Sequence, residues 1–143
     1  MRPARSVIGV LMFLWWSVLV MLGVVGLAAC APEVVRRPAQ VTAVIEQAGE
    51  TIEILEDASV SVGPGYERVI GRGSVWMKIG RSVEGDVFRP VGRVFTVEGT
   101  HIHEAYLVLD GDRLVGFYLP VERAFSPAGD GAGTRLSIRR RQP

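Results

Sequence analysis

The chain has 143 residues, of which 48% are hydrophobic and 22% charged, with a formal net charge of +1, enough for one ordinary domain around a single small core. A lone cysteine excludes both a disulfide framework and a four-thiolate zinc site. The charge is polarised: residues 41–128 carry eight basic against thirteen acidic residues, while Arg135, Arg139, Arg140 and Arg141 follow with no acid after Asp130, and an acidic body argues against nucleic acid as a main ligand because phosphate binding relies on a basic face.

In chain order, Arg2, Arg5 and the terminal amine precede a charge-free run over residues 7–29, the tripartite layout of an export signal. As a helix this run would reach ~35 Å at 1.5 Å per residue, enough to cross a bilayer, so an uncleaved anchor is the competing reading. The run closes in Leu27-Ala28-Ala29-Cys30, which resembles the lipobox of bacterial lipoproteins at all four positions. The resemblance implies acylation of the Cys30 sulfur and cleavage just before it, the small Ala28 and Ala29 fitting a narrow peptidase site. Two or three acyl chains at ~0.8 kcal/mol per buried CH₂ give stable anchoring. In that family Asp after the lipidated cysteine commonly marks inner-membrane retention. Ala31 stands there instead, which implies an outer-membrane lipoprotein facing the periplasm, with the inner membrane as the alternative.

The expected organisation is a signal peptide over 1–29, a tether over 30–40, a small all-β domain over 41–128 and a flexible basic tail over 129–143. The tether APEVVRRPAQ has two prolines and no period, so it reads as extended chain whose Arg36 and Arg37 are either solvated or touch anionic headgroups. Beyond it, β-branched and aromatic stretches recur between turn signals. They predict strands over 41–47, 51–56, 59–62, 74–81, 86–90, 93–97, 102–109 and 113–119, with one more over 134–139. This is the pattern of an antiparallel barrel or sandwich of about 6–8 short strands following the signal helix.

The clearest element is the hairpin HEAYLVLDGDRLVGFYLP. A Gly111-Asp112 turn pairs Leu109 with Leu114 and Asp110 with Arg113, and is preferred over an Asp110-Gly111 turn because it matches apolar with apolar and opposite charges with each other. Both runs are apolar on each face, as expected of strands covered on two sides or lying at a subunit contact. Pro120 ends the second strand, and Phe125 in VERAFSP is expected to fold back onto the domain.

Candidate sites are few. His101 and His103 lie two apart, so on a strand both imidazoles share a face and could chelate a divalent metal, yet Glu104 points the other way and no third histidine exists. The simpler expectation is local hydrogen bonding. Glu46, Glu50, Glu53, Glu56 and Asp57 form an acidic cluster expected to be a solvated face. Ser59, Ser61, Ser74, Ser82 and Ser126 have no Gly-x-Ser-x-Gly setting. In GSVWMKIG, Val75, Met77 and Ile79 share one face, and Trp76 with Lys78 the other. The segment distantly resembles the Gly-x-x-Trp-x-x-Val-Gly stretch of bacterial Src-homology-type barrels, some of which bind cell-wall peptides. That resemblance implies a peptide or glycan platform of Trp76, Tyr66 and Tyr118, against the alternative of a core tryptophan. Arg139, Arg140 and Arg141 could contact an anionic surface or neutralise the acidic body. No cofactor is implied. The whole predicts a non-enzymatic structural, assembly or binding module of the envelope with a protein partner, ahead of a cell-wall-binding barrel or a metal-dependent activity at the histidines.

Overall fold

Period-two alternation of apolar and polar side chains lays down the strands. The computed structural model describes residues 33–43, 49–62, 66–129 and 133–142. The expected signal segment, Cys30, most of the first expected strand and the Gly63-Pro64-Gly65 turn lie outside the described residues. Within them no helix is long and apolar enough to cross a membrane.

The described strands are β1 (Arg37–Pro38), β2 (Thr51–Ile54), β3 (Ala58–Val62), β4 (Tyr66–Ile70), β5 (Val75–Arg81), β6 (Asp86–Pro90), β7 (Thr96–Glu98), β8 (Ile102–Glu104), β9 (Tyr106–Asp110), β10 (Arg113–Leu119), β11 (Ala124–Pro127), β12 (Thr134–Arg135) and β13 (Ile138–Arg141). The all-β antiparallel expectation holds. The architecture is a nine-stranded sheet in the order β1-β11-β10-β9-β6-β5-β2-β13, with β12 beside β10, plus the hairpins β3-β4 and β7-β8. The sheet is not a closed barrel, and its strands outnumber the 6–8 expected.

The extra strands have physical causes. The expected strand over 102–109 is divided at Ala105, whose amide donates to the Phe95 carbonyl at 2.9 Å, so β8 leaves the main sheet to pair with β7 while β9 joins β6 and β10. β4 escapes the apolar pattern because Glu67 and Val69 are both exposed on it. The preferred hairpin register is present: Leu109 opposes Leu114 and Asp110 opposes Arg113, with Gly111 at φ 64° in the turn, a backbone setting that suits glycine.

The sheet is buried on two sides, as expected for the β9 run. One face joins Ile52, Ile54, Trp76, Phe88, Leu107, Leu109, Leu114, Phe117 and Leu119 to Val60, Val62, Ile70 and Val97 of the two hairpins. Phe95 lies edge-on to Trp76 at 5.4 Å and stacks on Phe117 at 6.0 Å. The other face centres on Val87, Val108 and Phe125 beneath Ala39 and Val41, so Phe125 does fold back onto the domain. Gly80 permits this crossing: a Cβ there would come within 2.7 Å of Val41 Cγ1.

Over their described residues, the expected tether and the expected tail are both more structured than the sequence suggests. Val34 is 3% exposed within the core, β1 pairs with β11, and Thr42 bridges Arg81, so the expected tether is docked from residue 34 onward. The expected flexible tail instead carries β12 on β10 and β13 on β2. Leu136, 2% exposed, is its apolar anchor, and its amide donates to the Asp112 carbonyl at 2.8 Å.

Candidate functional site

β5 alternates so that Trp76 and Lys78 turn inward, and a register shift after Lys78 sets Gly80 on the second face opposite Val87. Trp76 is 1% exposed, and its Nε1 donates to Ser74 Oγ at 3.0 Å. It is a core residue and cannot serve as an exposed ligand platform in this arrangement. Tyr66 is half-buried on β4. Tyr118 lies on the sheet's second face beside Tyr106. The expected three-ring platform is therefore not brought together. Tyr118 instead borders an open cleft of about 670 Å³ that Pro38, Ala39, Gln40, Val41, Glu122 and Arg123 complete.

Two positions beyond Trp76, Lys78 is buried in the same inward register. Its Nζ lies 2.7 Å from Asp86 Oδ2 and 3.4 Å from Glu50 Oε2. Asp86 Oδ1 also meets Arg81 Nε at 2.6 Å, and Glu50 Oε1 meets Arg140 Nη1 at 2.6 Å. Five charges thus alternate in sign across β2's leading end, β5, β6 and β13. Burial opposes ionisation of Asp86, but the hydrogen bonds and positive charges of Arg81 and Lys78 together outweigh it and hold the carboxyl below its usual range. Glu50 therefore differs from the solvated acid expected of its cluster, because it closes this network from inside.

The tail arginines alternate across β13. Arg139 and Arg141 both reach Glu53, at 3.4 and 3.0 Å. Arg140 turns the other way, onto Glu50 and the Gly111 carbonyl. Of the two expectations for this tail, the geometry has these side chains neutralising acids of their own domain. Arg36 pairs with Glu33, while Arg37 pairs with Glu84 and covers the Phe125 ring.

The histidines are brought near each other. Their rings stand edge to face with centroids 6.4 Å apart. His101 is exposed, whereas the His103 side chain is 7% exposed with Nδ1 2.5 Å from Glu122 Oε1. His103 is hydrogen-bonded, but not locally as the simpler expectation had it: the partner is Glu122 in the β10–β11 turn, nineteen positions on. The next residue, Arg123, takes φ 50° and accepts the Ala39 amide at its carbonyl at 3.0 Å. Desolvation works against ionisation of Glu122, but the His103 hydrogen bond, a backbone hydrogen bond and the nearby charges together outweigh it and lower its pKa. Glu104, on the opposite face, engages Tyr106. Among the described residues, no three His, Cys, Asp or Glu side chains are grouped to hold a metal.

Lys78 had a signal in the sequence, a cation in register with Trp76. Glu122 had none, since nineteen positions separate it from His103. The lipobox lies outside the described residues. No protein-family model matches the chain, nor does any curated protein or solved structure.

Proposed function

We propose that this chain is a lipid-anchored protein of the bacterial cell envelope, with residues 1–29 removed on export and Cys30 acylated. Its β-domain acts as a structural, assembly or binding module at the periplasmic face of the outer membrane, with no catalytic role of its own. The observation that carries this reading is Leu27-Ala28-Ala29-Cys30 at the close of a charge-free apolar run. Small residues before the sole cysteine suit acylation and cleavage, while a simple membrane span would need neither.

The fold adds a consequence. Only three residues separate Cys30 from the buried Val34, a span of at most about 14 Å at 3.3–3.6 Å per residue. An acylated Cys30 would therefore hold the domain close against the bilayer, and a protein partner would lie at or near the same membrane.

Mass spectrometry of the protein purified from its native membranes tests the reading. The expected species begins at Cys30 and carries acyl chains; an intact Met1 or an unacylated Cys30 overturns it. Density separation of the two membranes assigns the location. Crosslinking in cells followed by pull-down then identifies the partner.

A further inference from the structure

We propose that His101 and His103 form a binding site for one divalent transition ion such as Zn²⁺, with Glu122 as the outer carboxylate that orients His103. This inference does not rest on lipidation of Cys30.

Three observations converge. The first is spacing. With Zn–N distances of about 2.0–2.1 Å, two imidazoles on one ion have centroids about 5–6 Å apart, and these rings stand 6.4 Å apart. His101 is exposed, so a small side-chain rotation closes the difference without disturbing the core.

The second is which ring nitrogen is already engaged. His103 Nδ1 faces Glu122 Oε1 at 2.5 Å, so Nε2 is the nitrogen left to meet an ion. A carboxylate on the far nitrogen is the usual support of a metal-ligating histidine, because it fixes the tautomer and raises ligand basicity. Nearly complete burial of the His103 side chain holds the ring in that orientation.

The third is an incompletely satisfied acid. Glu122 Oε2 is buried with no hydrogen-bond partner, a costly state for a polar atom. An ion on Nε2 places positive charge one imidazole away from this carboxylate and offsets its burial.

Two imidazole ligands favour Zn²⁺, Cu²⁺ or Ni²⁺ over Mg²⁺ or Ca²⁺. Water completes the coordination shell, so the site is open and exchangeable rather than a structural clasp.

The test is calorimetric titration of the full detergent-solubilised chain with ZnCl₂, and with MgCl₂ as comparison. Wild type should take up one Zn²⁺ per chain and no Mg²⁺. His101→Ala and His103→Ala should each weaken uptake at least tenfold. Glu122→Gln should weaken it about ten- to a hundredfold. His101→Ala removes only an exposed ring, so loss of binding there is not explained by unfolding, and near-UV circular dichroism checks each variant. Nitrogen-15 spectra should move the His103 Nε2 resonance on zinc addition. Absence of saturable uptake, uptake retained by His101→Ala, or coordination through Nδ1 would each overturn the site. Unchanged affinity in Glu122→Gln would overturn the role given to that carboxylate.

Discussion

Lys78 Nζ sits 2.7 Å from Asp86 Oδ2, with only 2% of the lysine side chain exposed, in a strand register whose preceding inward residue is Trp76. Removing one partner from a buried ion pair leaves the other charge uncompensated, which costs about 3–5 kcal/mol. Asp86→Ala leaves the more deeply buried charge, Lys78, without its 2.7 Å partner, so it should be more destabilising than Lys78→Met, which fills the lysine's volume and leaves each carboxylate an arginine. In the methionine variant Asp86 keeps Arg81 and Glu50 keeps Arg140. Urea midpoints at neutral pH check the ranking, and the reverse order would deny the network its role.

The same pair sets an acid limit on stability. Burial works against ionisation of Asp86, but the hydrogen bonds and charges of Arg81 and Lys78 together hold it below its ordinary pKa. A carboxyl depressed in the folded state stabilises the fold above its unfolded pKa of about 3.9, and that contribution is lost as pH falls through the lower folded value. Melting temperature should therefore drop below about pH 4 in the wild type. In Asp86→Asn the drop should be shallower, from a lower starting point. Equal slopes in the two proteins would place the acid sensitivity elsewhere.

Gly80 lets the N-terminal segment cross the second face of the sheet. A Cβ there would strike Val41 Cγ1 at 2.7 Å, and the adjoining Arg81 amide donates to the Thr42 carbonyl at 2.9 Å. Overpacking of this kind costs about 1–3 kcal/mol. Gly80→Ala should reduce stability by that amount and speed amide exchange at Thr42 and Arg81, with little change at β9. Protection left intact at both amides would count against the tight crossing.

The β9–β10 register was legible because it is local: Leu109 with Leu114 and Asp110 with Arg113 satisfy matching preferences across one turn. Burial of Trp76 and Lys78 on one face was half legible, since alternation gives the face but not its side. That side was decided by Phe95 and by Glu50 and Asp86, contacts no local pattern encodes. β4 was invisible because a hairpin strand with Glu67 and Val69 both exposed shows little apolar contrast. The His103–Glu122 contact joins β8 to a turn nineteen residues on, so it emerges only once β9 and β10 have folded back. The C-terminal arginines misled by composition: three consecutive cations resemble a solvated tail, whereas their alternation on β13 assigns them to opposite faces.

That alternation makes the three arginines unequal. Arg139 and Arg141 share the partly exposed Glu53, with their own side chains 57% and 64% exposed, and exposed pairs contribute only about 0–1 kcal/mol. Arg140 contacts the more buried Glu50 Oε1 at 2.6 Å and lies 6.0 Å above the Phe88 ring. Its loss leaves Glu50 with Lys78 alone, at 3.4 Å. Arg140→Ala should lower stability clearly more than the double change Arg139→Ser with Arg141→Ser. Moderate salt should erase much of the small loss in the double variant and little of the loss in Arg140→Ala, because screening acts chiefly on exposed charges. Denaturant titrations at low and high ionic strength separate the two. If all three arginines instead served a disordered anionic-surface tail, neither variant would shift the unfolding midpoint.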